Sequence, residues 1–174
     1  MGKARIPFNW AVVLTVIISL PFAMFLGKYS LDTWISFMMW GVYFEYGAVA
    51  DNIRRIAIAF PWGGIFAAAW QTLATFLVLH GVNAFLAEVA GDVVFISVIA
   101  YLAMVHRFTV QNVLAAFQGL GLVLAAYFTG AYPHLLSSPY AQPWLAWLWA
   151  SLSGIFGAIL GWINKALMFE KPEH

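Results

Sequence analysis

Apolar residues along this chain run in long blocks that do not alternate with polar ones, and six of the blocks are about as long as a membrane crossing. A hydrocarbon core about 30 Å thick takes roughly 20 helical residues at about 1.5 Å each. The blocks lie near Trp10 to Gly27, Leu31 to Ala50, Trp62 to Asn83, Phe85 to Val105, Val110 to Ala131 and Trp144 to Asn164. They are about twice the length of barrel strands and lack strict alternation, so helices are predicted. The connections are short, which predicts a single transmembrane domain over residues 1–174. The stretch Asn52 to Phe60, ahead of Pro61, is helix-compatible and holds two arginines. It reads first as an interfacial helix; a kinked extension of the third span and a half-helix dipping back are the alternatives.

Composition turns this pattern into a solvent. The chain is 64% hydrophobic and 9% charged, whereas a soluble domain is about 25% charged, so lipid must face most of the surface. A net charge of +1 provides no basic field for nucleic acid. With no cysteine, disulfide frameworks, thiolate metal sites and cysteine nucleophiles are excluded. The basic start MGKARIPFNW precedes the first apolar block without a small-x-small cleavage pattern, so that block is kept as a helix.

Charge then orients the bundle. With the amino terminus inside, Lys3, Arg5, Arg54, Arg55, Arg107, Lys165 and Lys171 all fall in the cytoplasm, and only Lys28 falls outside. The positive-inside rule therefore supports about six transmembrane helices of an inner membrane with both termini cytoplasmic. Trp10, Trp62 and Trp162 would form the inner aromatic belt, with Trp144 and Trp147 at the outer one.

Two pairs of segments are alike. Asp32-Thr-Trp-Ile-Ser36 resembles Asp92-Val-Val-Phe-Ile-Ser97, and Asn52 to Gly64, with Phe60 and Gly63-Gly64, resembles Asn112 to Gly121, with Phe117, Gly119 and Gly121. Spans two and three would thus repeat in parallel as spans four and five.

The second span reads Trp34-x-x-Phe37-x-x-Trp40-x-x-Tyr43-Phe44-x-x-Gly47 and is followed by Gly63-Gly64, Trp70 and the Phe117 to Gly121 region. In these features, over most of its length, the chain resembles a bacterial inner-membrane family, domain of unknown function 1097. Glu45 departs from the pattern where a small residue is expected, and Ala48 where a second glycine is frequent. The resemblance implies a small multi-span membrane protein and no established activity.

Ionisable residues inside a membrane point to function, because a carboxylate at the bilayer centre costs at least about 2.5 kcal/mol. Glu45 lies nine residues before Arg54, about 13 Å of continuous helix, which puts it within the inner third of the membrane. Trp34, Met38, Gly41 and Ala48 would share its face, with Trp34 as an aromatic gate. The structural alternative is a carboxylate that snorkels to Arg54 or Arg55. Glu88 and Asp92 come next. The thirteen uncharged residues Val93 to Val105 are too short to span, so the acidic end must sit low in an outer vestibule or thin the bilayer. Asp32 and Asp92 together would form an acidic mouth, unless each is an ordinary headgroup-level carboxylate.

The amides Gln71, Asn83, Gln111, Asn112 and Gln118 either line a polar path or, as is commoner, bridge helices. Phe60 and Phe117 either form a paired constriction or pack in the core or against lipid. His80 and His134 fall toward the outer side without the carboxylate or cysteine a metal site needs, and no metal or cofactor is assigned. Close helix packing is predicted at Gly64-x-x-x-Ala68, Gly121-x-x-x-Ala125, Gly154-x-x-x-Ala158 and Gly157-x-x-x-Gly161, the last two serving either the bundle or subunit association. Without a catalytic motif the chain is not expected to be an enzyme. The function expected first is a channel or facilitator for a small solute, working as a homo-oligomer. An accessory subunit of a heteromeric membrane complex and a proton-coupled transporter are the rivals.

Overall fold

The computed structural model describes residues 6–27 and 33–168, and among these every regular element is helical. The helices are α1 (Phe8–Gly27), α2 (Thr33–Glu45), α3 (Asp51–Leu79), α4 (Ala84–Gly91), α5 (Ser97–Val105), α6 (Arg107–Gln111), α7 (Val113–Thr129) and α8 (Gln142–Met168). A π-helical turn, Asp92–Ile96, joins α4 to α5, so that Ala84–Val105 is one continuous crossing. Together with α1, α3 and α8 it is long and apolar enough to cross a membrane. The chain is an all-α membrane protein. Asp32 and the basic residues Lys3, Arg5, Lys28 and Lys171 lie outside the described residues.

Contacts give the direction of each helix. Asn164 meets Thr15 and Phe156 meets Phe22, so α8 runs against α1. Ser36 sits at Gly157 and Tyr43 at Gly161, so α8 runs with α2. Phe60 sits at Gly154 and Pro61 at Trp147, so α8 runs against α3. Helices α1, α2 and α3 therefore alternate in direction, and the start of α1 and the end of α8 share one end of the bundle. Arg54, Arg55, Arg107 and Lys165, the basic residues among those described, lie at that same end.

Turn chemistry sets the helix ends. Gly47, Gly81 and Gly130 adopt left-handed conformations (φ 87°, 87° and 70°) just past α2, α3 and α7. In each case the glycine and its successor donate back to the last-turn carbonyls, as with Gly47 to Phe44 and Ala48 to Tyr43. Ala48 shares the left-handed region (φ 52°), which explains why a second glycine suits this position. Its carbonyl accepts from Lys165 Nζ. The expected span from Leu31 to Ala50 is thereby corrected, since α2 stops at Glu45 and covers 13 residues.

The core is built on glycines and alanines that let backbones meet. A Cβ at Gly63 would enter the carbonyl of Ala116, and a Cβ at Gly119 would enter the carbonyl of Phe60. This exchange is reciprocal, as an approximate two-fold axis along the parallel helices α3 and α7 would make it. Under this reciprocity Phe60 corresponds to Ala116, not to Phe117 as the sequence likeness pairs it. Gly154 faces the Phe60 ring, Gly157 the Ser36 backbone and Gly161 the Tyr43 and Trp40 rings. The two interleaved motifs of α8 therefore serve packing within the chain. Gly64 lies against Trp147 and Val123, and Ala68 is fully buried.

Three expectations are corrected here. Asn52 to Phe60 is not interfacial; it is the first third of α3, continuous through Pro61, with Asn52, Ile56, Ala59 and Phe60 buried. Trp147 is not an outer-belt residue, because its indole N–H donates to the Pro61 carbonyl (2.9 Å) inside the bundle. Gly121 has open space around it, and Ala125 is only half-buried. Gly119, two residues earlier and so on the opposite helix face, makes the contact instead.

Candidate functional site

Toward the end of the bundle remote from the termini, α3 carries Trp70 and Gln71 adjacent on its buried side. Asn83 caps α4 by accepting from the Phe85 amide (2.9 Å), which starts that helix so that Glu88 falls one turn in. The Glu88 carboxylate oxygen Oε2 accepts from both Trp70 Nε1 (3.0 Å) and Gln71 Nε2 (2.9 Å). Gln71 is 2% exposed, so its amide needs that partner: an unmade hydrogen bond there costs about 1–3 kcal/mol. Gly91, one turn beyond Glu88, makes the approach feasible. A Cβ at that position would fall on the pyrrole edge of the Trp70 indole.

The π-helical turn Asp92–Ile96 follows directly. Its wider turn takes up an extra residue and returns Ile99, buried like Ala87 and Gly91, to the bundle side. Elsewhere this crossing is largely exposed. It is the least embedded wall of the site.

Glu88 lines a cavity of about 400 Å³ bounded by Gln71, Ala74 and Val78 of α3, Tyr127 and Phe128 of α7, and the connection from Tyr132 to Gln142. Tyr132 stacks on Tyr127 (6.3 Å between centroids) and packs against His134 (4.6 Å). His134 Nδ1 donates to Gln142 Oε1 (3.1 Å), and Gln142 Nε2 donates to the Leu136 carbonyl. Burial, and secondarily Tyr127, raises the Tyr132 hydroxyl above its ordinary range. Tyr132 therefore stays neutral, and Glu88 is the acidic side chain of this lining.

Of the residues singled out from sequence, Gln71 and His134 reach this site and Glu88 anchors it. Asp92 is exposed at the start of the π turn, and Asp32 lies outside the described residues. Glu45 is exposed at the last residue of α2, not within a span. Trp34, Phe37, Met38 and Gly41 share its outward side, while Ile35, Ser36, Met39, Trp40, Val42 and Tyr43 face inward. Phe60 is fully buried and Phe117 is 37% exposed, so they form no paired constriction. Gln118 is half-buried on α7. His80 lies on Phe76 (4.1 Å) and not beside His134. Trp70 was read only as a family feature, and Gly91, Tyr127, Tyr132 and Gln142 went unread. The available signal was Glu88 and Gly91 one turn apart on a span also required to pack.

A second polar cluster closes the terminus-bearing end. Arg55 donates to Asn112 Oδ1 (3.2 Å), Asn52 Oδ1 (3.3 Å) and the Gln111 carbonyl (3.0 Å), and lies over the Tyr46 ring at 4.7 Å. Asn52 Nδ2 donates to the Tyr46 carbonyl (2.6 Å), and the Tyr46 hydroxyl accepts from the Ala115 amide (3.1 Å). These bonds tie the α2–α3 turn to α7, the bridging role read first for Asn112. Lysine cannot reproduce the fork of donors. Arg55→Lys is therefore expected to lower stability by about 1–3 kcal/mol, measured by unfolding in detergent, whereas Arg54→Lys, at an exposed position, leaves it unchanged. Equal midpoints for the two variants would remove Arg55 from the fold's support.

The family model described as "protein of unknown function (DUF1097)" matches residues 11–168 of this chain. The chain belongs to that family, in agreement with the aromatic pattern of α2. No curated protein and no solved structure matches it.

Proposed function

We propose that this member of the DUF1097 family carries a small solute across the membrane, and that the cavity at Glu88 is where the solute binds. The observation that carries this reading is a carboxylate held by two donors at the wall of a cavity about 400 Å³ in volume. That volume lies within the range of small-molecule sites, which combine apolar walls with a few fixed polar groups. No nucleophile on the lining is bonded to a base in the manner of covalent catalysis, which favours binding and passage over bond-making.

The reading is a carrier more than an open pore. Beyond the cavity the backbones of α3 and α7 touch at Gly63 and Gly119, leaving no width for a solute between them. The crossing Ala84–Val105 is embedded mainly through Ala87, Gly91 and Ile99. A π turn and a small-residue seam make it the element that can shift to release solute on the other side. With the basic end in the cytoplasm of a bacterial cell, the cavity faces outward.

Reconstituted in liposomes, the protein is expected to give saturable uptake of at least one member of a panel of small polar solutes. Glu88→Gln should reduce that uptake about tenfold or more, while Glu45→Gln should leave it unchanged. Uptake lost in Glu45→Gln and retained in Glu88→Gln would overturn this assignment.

A further inference from the structure

The polar groups around the cavity are not equally available to a ligand. Both amides are engaged, Gln71 on Glu88 Oε2 and Gln142 on His134 and the Leu136 carbonyl. The two donors that hold Glu88 share Oε2, and among the described residues Oε1 receives no hydrogen bond. A carboxylate oxygen without a donor attracts one from whatever enters, preferably a charged one. No lysine or arginine lines the cavity, and Arg54, Arg55, Arg107 and Lys165 lie at the other end of the bundle.

Apart from Thr75 and His134, the rest of the wall is aromatic and aliphatic. Tyr127, Phe128 and Tyr132 contribute rings to the lining, and Ala74, Val78 and Pro139 contribute hydrocarbon. Aromatic rings attract cations through their quadrupole, and a carboxylate in a lining that also holds three aromatic rings suits an alkylated ammonium. An anion would meet Glu88 unscreened.

We infer that the solute held at Glu88 is a compact organic cation, a protonated amine or quaternary ammonium, with its charge against Glu88 and its alkyl groups among the Tyr127, Phe128 and Tyr132 rings. This inference rests on reading the cavity as a solute site. A single carboxylate without a second acidic ligand provides too few oxygens to favour a hard metal ion.

The test is calorimetric titration of the protein in nanodiscs with choline and with 3,3-dimethylbutanol, which has the same shape but no charge. Wild-type protein is expected to prefer choline by about tenfold or more. Glu88→Gln should abolish the preference without altering the size-exclusion profile. Phe128 is 63% exposed, so Phe128→Leu removes a ring at little cost to packing; it should weaken choline about two- to fivefold and leave the alcohol unaffected. Equal binding of both probes, unchanged in Glu88→Gln, would overturn the cation inference while leaving a solute site. A choline preference that survives Glu88→Gln would also overturn it, by placing the cation elsewhere. Absence of binding by either probe, with no uptake of any solute in liposomes, would overturn the inference together with the reading beneath it.

Discussion

Gly63→Ala and Gly119→Ala are each expected to destabilise the bundle by about 3 kcal/mol, at the upper end of what overpacking costs. In both cases the added methyl meets a backbone carbonyl, Ala116 or Phe60, and a carbonyl in a helix cannot rotate away as a side chain can. The two helices must separate, and every buried residue along them loses contacts. Since one separation relieves both clashes, the double variant should cost clearly less than the sum of the singles. Gly121→Ala is the control, because nothing lies near its Cβ. It should stabilise by up to about 1 kcal/mol through helix propensity alone. Unfolding by denaturing detergent, followed by circular dichroism, reads all four variants. Wild-type midpoints for Gly63→Ala and Gly119→Ala would refute the reciprocal contact.

The same glycines mark how far the sequence could be read. Block length and charge made the membrane class and the alternating helices legible, since both depend only on composition over about 20 residues. Choosing between Gly119 and Gly121 was harder, because two residues along a helix is nearly the opposite face and apolar residues surround both. The register of a lipid-exposed helix leaves little trace when both faces are apolar. Glu45 was misplaced for a related reason. The estimate of its depth assumed helix through to Arg54, whereas Gly47 and Ala48 adopt positive φ and end α2 at Glu45. Asn52 to Phe60 was then split from the third span at Pro61. In the fold the helix runs through Pro61, and the Trp147 indole donates to the proline's carbonyl. Glu88 was noticed only as the neighbour of Asp92, because its significance depends on Trp70 and Gln71, some seventeen residues away in sequence. Such a pairing emerges only once two helices are packed.

Gly91 should separate carriage from folding. Gly91→Ala places a methyl on the edge of the Trp70 indole, so the ring must turn or α4 must withdraw. Either movement takes Trp70 Nε1 from Glu88 Oε2, a hydrogen bond to a charged group worth about 1.5–3 kcal/mol. Solute uptake in liposomes is expected to fall roughly tenfold to a hundredfold. The unfolding midpoint should drop far less than in Gly63→Ala, because the peripheral Ala84–Val105 crossing can retreat where α3 and α7 cannot. Trp70→Phe removes the donor and leaves room for the methyl, which makes the double variant decisive. Gly91→Ala with Trp70→Phe should regain most of the stability lost by Gly91→Ala and still show the low uptake of Trp70→Phe. Uptake returning along with stability would mean that the glycine matters only for folding. Uptake staying low in a restored fold would leave the orientation of Glu88 as what the glycine provides.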